Sequence, residues 1–135
     1  MSLVWVDNAE SVALQLVTNK LATTENLVLH LYKSNTTPAE TDVVGTYTES
    51  TFAGYASATL TGANWTVSGT APTQIAYAQQ TFTRSSSGAT ENQYGYYVTR
   101  AVSADLMYAE RFSDAPVPIT NLNDAIKITP QITCD

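Results

Sequence analysis

Asp105, Glu110 and Asp114 lie close together, and three carboxylates in reach of one another could hold a cation or work as a paired acid and base. The strand pattern around them argues against it. Glu110 and Arg111 are neighbours in one extended run and point to opposite faces, and carboxylates near strand ends keep sheet edges soluble. His30 is the one side chain that titrates near neutrality, but the sequence sets no second His, no Cys nucleophile and no serine motif beside it for it to activate. There is no glycine-rich phosphate loop and no Cys/His cluster. No catalytic, cofactor or metal residue is therefore assigned, no cofactor is expected, and the chain is expected not to be an enzyme.

Aromatic residues supply the other chemistry. Tyr94, Tyr96, Tyr97, Tyr108, Trp5 and Trp65 could stack on sugars or bases. Tyr94 and Tyr96 fall on one face of a strand and Tyr97 on the other, which is how a core or an interface is filled. Two further stretches read as candidate partner-binding residues. One is the apolar arm Leu3, Val4, Trp5 and Val6 ahead of the first helix, either a docking arm or an edge strand. The other is the loop carrying Glu40, Asp42 and Glu49, which could face basic residues on a partner. If the arm only docks, its removal leaves a β domain that begins at Leu27 folded.

The elements that must position these residues are mostly strands. Runs such as Tyr94–Arg100, Leu106–Phe112 and Ala125–Ile132 are rich in Tyr and β-branched residues and are separated by turn residues. Leu27–Lys33 alternates, with Leu27, Leu29 and Leu31 on one face and Val28, His30 and Tyr32 on the other, both at least half covered. Ser34–Thr51 reads as a long polar loop with a short strand at Val43–Val44. Further strands are expected at Tyr55–Leu60, Asn64–Val67, Ile75–Thr83 and from Ile119. One helix is expected after an N-cap at Asp7 or Asn8, with Ala9, Val12, Ala13, Leu16, Val17 and Leu21 on its apolar face. The pattern predicts an all-β fold, an antiparallel two-sheet sandwich of the jelly-roll type with one short N-terminal helix. An immunoglobulin-like sandwich is the alternative. Residues 1–26 form the arm and helix, and residues 27–135 the sandwich.

Composition narrows the partners. Charged residues make up 13% of the 135 residues, about half the usual share, which suits a chain built to pack or bind. The net charge is -6 and the six basic residues are scattered singly, so nucleic acid is not an expected partner. No apolar run is long enough to span a bilayer and no export leader is seen, so synthesis in a cytoplasm without a membrane partner is expected. Cys134 is the one cysteine, and its replacement by Ser is expected to be silent in assembly.

The motifs Leu29-His30-Leu31-Tyr32, Asn35-Thr36-Thr37-Pro38, Thr48-Glu49, Gly54-Tyr55-Ala56, Thr81-Phe82-Thr83, Tyr94-Gly95-Tyr96-Tyr97-Val98-Thr99, Tyr108-Ala109-Glu110-Arg111-Phe112 and Ile126–Ile132 span residues 27 to 132. Together they resemble small structural proteins of tailed bacteriophages, most of all the jelly-roll cement, or decoration, proteins on the outside of a capsid. The resemblance implies a virion-surface protein that bridges neighbouring capsomers, with the major capsid protein and further copies of itself, as dimer or trimer, for partners. Head-fibre, tail and receptor- or carbohydrate-binding roles in a virion are the alternatives.

Overall fold

A computed structural model describes residues 3–18, 20, 24–70 and 72–134. Its elements run β1 (Val4–Trp5), α1 (Asp7–Val17), β2 (Leu27–Tyr32), β3 (Ala58–Leu60), β4 (Thr66–Ser68), β5 (Thr73–Ala76) and β6 (Gln80–Thr83). They continue with β7 (Glu91–Gln93), β8 (Gly95–Arg100), β9 (Leu106–Arg111), β10 (Val117–Ile119), β11 (Ala125–Ile128) and β12 (Gln131–Cys134). The fold is all-β with one short helix. Every strand pairing is antiparallel, in a five-stranded sheet ordered β1-β9-β8-β2-β3, a three-stranded sheet β12-β5-β4, and the pairs β10-β7 and β11-β6. Among the described residues none of the sheets closes on itself.

Several elements differ from the pattern for identifiable reasons. The run 75–83 splits because its first part pairs with β12, a ladder that the Tyr77 N–H continues to the Pro130 carbonyl, while Gln80–Thr83 pairs with β11 in another sheet. Pro130 likewise divides 125–132 into β11 and β12, since a proline cannot donate to a ladder. Val43 and Val44 are not a strand; Val44–Thr46 is a 3-10 turn, with Thr46 Oγ1 accepting the Val43 N–H at 3.2 Å. The helix is capped by neither Asp7 nor Asn8: Val6 holds the N-cap position in extended backbone without a side-chain bond, and Ala9 and Glu10 donate to its carbonyl.

The centre of the molecule is β8, whose six residues are all buried. Pairing with β2 sets His30 opposite Tyr97 and Val28 opposite Thr99 on one face, and Leu29 opposite Val98 and Leu31 opposite Tyr96 on the other. Both faces of β2 are covered, as its alternation predicts, and Leu29, Leu31, Leu60, Val98, Tyr108 and Ile119 are among the most buried side chains. The arm takes the edge-strand role: Val4 pairs with Ala109 and Trp5 with Tyr108. Val6 is 1% exposed and shares one hydrophobic core with Ala9, Val12 and the strands. The helix departs from its expected face. Ala9 and Val12 are buried, but Leu16 is 45% and Val17 86% exposed. The expectation for Leu21 lies outside the described residues, as does that for the Cys134 side chain.

Two outcomes follow from this packing. A Cβ on Gly95 would stand 2.7 Å from Tyr32 Cε1 and press on the Glu110 carbonyl. Gly95→Ala is therefore expected to cost about 3 kcal/mol in denaturant unfolding, whereas Gly45→Ala, where a Cβ meets nothing within 4 Å, stays within about 0.5 kcal/mol. Deleting residues 1–6 removes Val6 from the core, so the melting temperature is expected to fall on the order of 5–10 °C. An unchanged melting temperature would return the arm to a purely docking role.

Candidate interaction surface

The long loop is folded back on the sheet by its own acids. Asp42 accepts from the Ala39 N–H at 2.9 Å and from the Tyr47 hydroxyl at 2.7 Å. This holds the Tyr47 ring over Tyr97, 5.2 Å between centroids and 15° from parallel, and beside Tyr32 at 4.9 Å. Burial first, and then the Asp42 carboxylate, push the Tyr47 hydroxyl well above its usual pKa. Beyond the end of β3 the loop lends β2 a neighbour. Lys33 donates its backbone N–H to the Thr48 carbonyl, Ser50 donates to the Leu31 carbonyl, and the Leu31 N–H is taken by the Tyr55 hydroxyl at 3.0 Å.

Glu49 sits at the centre of this contact. One of its oxygens accepts from the Tyr55 hydroxyl at 2.9 Å and lies 2.8 Å from His30 Nδ1; His30 Nε2 lies 3.1 Å from Thr99 Oγ1. The imidazole is stacked on Tyr97 at 4.6 Å and 7°. His30 thus has two polar partners that the sequence did not disclose, 19 and 69 residues away. A carboxylate, an imidazole and a hydroxyl in a row are the parts of a nucleophilic triad. Thr99, however, is 5% exposed in β8, a strand covered on both faces. What the row does is brace the loop against the sheet.

A second acid, Glu91 on β7, braces the next stretch of the same loop at Thr51 and Phe52, and was missed in the sequence because it follows the turn at residues 85–88 outside any run that reads as a strand. Glu91 Oε1 accepts from the Thr51 N–H at 2.9 Å, the Phe52 N–H at 3.2 Å and Gln93 Nε2 at 2.9 Å; Oε2 accepts from Thr51 Oγ1 at 2.7 Å and Lys33 Nζ at 3.1 Å. Beside it the Ser50 hydroxyl donates to Gln93 Oε1. Burial raises the Glu91 carboxyl pKa, but the Thr51, Gln93 and Lys33 bonds outweigh it and bring it down to about 2.

Of the seven candidate binding residues, the structure turns Asp42 and Glu49 inward. It leaves Glu40 exposed, with its carbonyl accepting the Asp7 N–H at 3.0 Å, so that loop and arm meet at the start of α1. Leu3, Val4 and Trp5 are half-buried. The reactive acids separate: Asp105 stands 3.5 Å from Arg100 Nη1 at the start of β9, while Glu110 and Asp114 line one polar cleft of about 270 Å³ at its other end. There Glu110 accepts from the Tyr96 hydroxyl at 2.6 Å, and Arg111 and Lys127 share the lining, which sets positive charge where a cation would go. Among the described residues no three His, Cys, Asp or Glu side chains are placed to share a metal ion.

The aromatics are mainly core. Tyr96, Tyr97 and Tyr108 are buried, Trp5 tilts on Tyr108 at 6.3 Å, and Tyr94 lies under the Arg111 guanidinium at 5.1 Å. Exposed apolar side chains gather instead on the helix. Leu14 and Val17 are 68% and 86% exposed, and Leu16 stands beside an apolar groove of about 310 Å³ walled by Val12, Trp65, Ile75, Met107 and Ile132. Sequence periodicity had assigned Leu16 and Val17 to the packed face. Among the described residues no helix is long and apolar enough to cross a membrane.

No family model, no curated protein and no solved structure matches the chain.

The depressed pKa of Glu91 sets a pH dependence. Its stabilising contribution is complete above the unfolded value of 4.5 and is lost as pH falls toward about 2. Glu91→Gln is expected to cost about 2 kcal/mol at pH 7, and the two unfolding curves should converge as pH approaches 2. Parallel curves from pH 7 to pH 2 would refute the role.

Proposed function

We propose that the chain is a virion structural protein of a tailed phage, a cement protein that binds the outside of a capsid and bridges capsomers. In this reading the antiparallel sheets stack as a two-layer sandwich of the jelly-roll type. The observation that carries it is the series of motifs along residues 27–132 that resembles phage structural proteins. Their conspicuous polar members support a scaffold role: His30 bonds to Glu49 through one ring nitrogen and to Thr99 through the other, and Arg111 donates to the Thr36 carbonyl at 2.9 Å and to Asn35 Oδ1 at 2.8 Å. Side chains committed to each other shape a surface, and contact energy repeated over a symmetric shell makes a modest interface sufficient.

The partners in this reading are the major capsid protein and further copies of the chain, as dimer or trimer, at the virion surface. A receptor- or carbohydrate-binding role on a head fibre or tail is favoured by one feature. Trp65 and Tyr77 form a half-exposed edge-to-face pair at 5.3 Å, and the Tyr77 hydroxyl accepts from the Thr61 N–H and from Asn64 Nδ2. An aromatic platform rimmed by polar groups is how sugars are held.

The test is co-sedimentation with expanded capsids. Binding is expected to change less than about tenfold between about 50 and 200 mM salt, since a net charge of -6 and scattered bases leave few counterions to release. Absence of the chain from purified virions would overturn the reading, and glycan-array binding that is lost in Trp65→Ala would replace it with the second.

A further inference from the structure

We propose that the furrow between β11 and the chain at the end of β9 is a binding site for a neutral saccharide of one or two rings. The proposal goes beyond capsid attachment and does not rest on it, and the site shares no residue with the Trp65–Tyr77 pair.

The first observation is shape. The polar cleft of about 270 Å³ that holds Glu110 and Asp114 adjoins a second of about 230 Å³, and Phe112, Asp114 and Lys127 line both. Joined, they fall within the size of small-molecule sites, about 300–1,000 Å³. Their walls are runs of consecutive residues, 125–129 on one side and 110–114 on the other. Side chains alternate between the faces of an extended chain, so successive residues line a hollow together only along its edge. Among the described residues β11 pairs with β6 alone, and its second edge offers main-chain donors and acceptors there.

The second observation is a set of uncommitted polar groups. Glu49, Glu91 and Arg84 are bonded by their own domain. In the furrow, by contrast, the side chains of Ser113, Asp114, Lys127 and Thr129 are exposed and make no hydrogen bond or ion pair among the described residues. Asp114 and Lys127 carry opposite charge into the same two clefts and still do not pair. Glu110 accepts from the Tyr96 hydroxyl at 2.6 Å through Oε2, which leaves Oε1 open. Arg111 is the exception, with its guanidinium already bonded to Thr36 and Asn35.

The third observation is the kind of ligand these groups fit. Carboxylates accept, the Lys127 ammonium donates, and the hydroxyls of Ser113 and Thr129 do both. Neighbouring sugar hydroxyls also do both, so one ligand can meet all of them. The half-buried Phe112 ring, tilted on Tyr96 at 6.4 Å, supplies an apolar surface for the C–H face of a sugar ring. Charged ligands fit worse. Two carboxylates on a chain of net charge -6 repel an anion, and Lys127 stands against a cation.

The test is saturation-transfer NMR of the full chain with glucose, galactose, mannose, N-acetylglucosamine, lactose and maltose, each at millimolar concentration. At least one is expected to bind. Asp114→Ala and Lys127→Ala are each expected to weaken that binding at least about tenfold with an unchanged melting temperature, because both side chains are exposed and unbonded in the free protein. Trp65→Ala is expected to leave it unchanged, and neither acetate nor methylammonium at equal concentration should compete. A panel without a binder overturns the proposal. So does binding indifferent to both furrow substitutions, or displacement by either ion, which makes the site one for a charged ligand. Binding lost in Trp65→Ala but kept in Asp114→Ala also overturns it and assigns the sugar to the Trp65–Tyr77 pair. Capsid co-sedimentation of Lys127→Ala separates this site from the cement role, because loss of sugar with retained capsid binding leaves that role intact.

Discussion

A strand covered on both faces can carry a hydroxyl, an amide or a guanidinium only if a partner arrives from elsewhere in the chain to bond it. β8 is such a strand, and much of the molecule is arranged around that requirement. Thr99 is met by His30, whose other ring nitrogen is met by Glu49 at the end of the long loop. Arg100, at 8% exposure, is met by Glu25 at 2.9 Å and by Asp105. Glu25 in turn accepts the N–H groups of Val102 and Ser103, closing the β8–β9 turn against the segment that leads into β2. The same logic extends to Arg84, buried and donating to the carbonyls of Ser86, Ala89 and Ile119. Much of the sparse charge is thereby turned inward, and this is why the sequence looks poor in sites and rich in structure.

The regular part of the fold was legible because its signals are local. β2, β8 and β9 announce themselves by alternation and β-branched content, and the alternation of β2 correctly sets His30 and Leu29 on opposite faces. Segments whose conformation depends on a distant group were not legible. Val43–Val44 looks like a strand, but it is turned by Thr46 and by the burial of Tyr47 against Tyr97, a contact across 50 residues of chain. Ile75–Thr83 reads as one strand because nothing inside it says that its two ends will pair with different strands, β12 and β11. β7 was missed for the opposite reason. Glu91 and Asn92 have little strand propensity, and what holds them extended is pairing with Ile119 and Pro118.

The candidate surface was read half correctly for similar reasons. Spacing identifies an acidic loop and an apolar arm, but it cannot tell an acid that faces solvent from one that accepts hydrogen bonds from its own domain. Asp42 and Glu49 are of the second kind and Glu40 of the first. The helix shows the converse error: its apolar stripe is real, yet the sheet covers only the first half, at Ala9 and Val12. A hydrophobic period reports that a face prefers cover without saying whose cover it will be.

The five-stranded sheet has long members inside and stubs outside. β1 offers two residues and β3 three, against six in each of β2, β8 and β9. An edge so short templates little backbone pairing, so the ladder is not a route by which one copy can recruit the next in an open-ended row. A polypeptide with this much tyrosine and threonine in extended conformation would otherwise be a candidate for fibrils when crowded. On this sheet the truncated borders leave a partner to be chosen by side chains rather than by main-chain pairing.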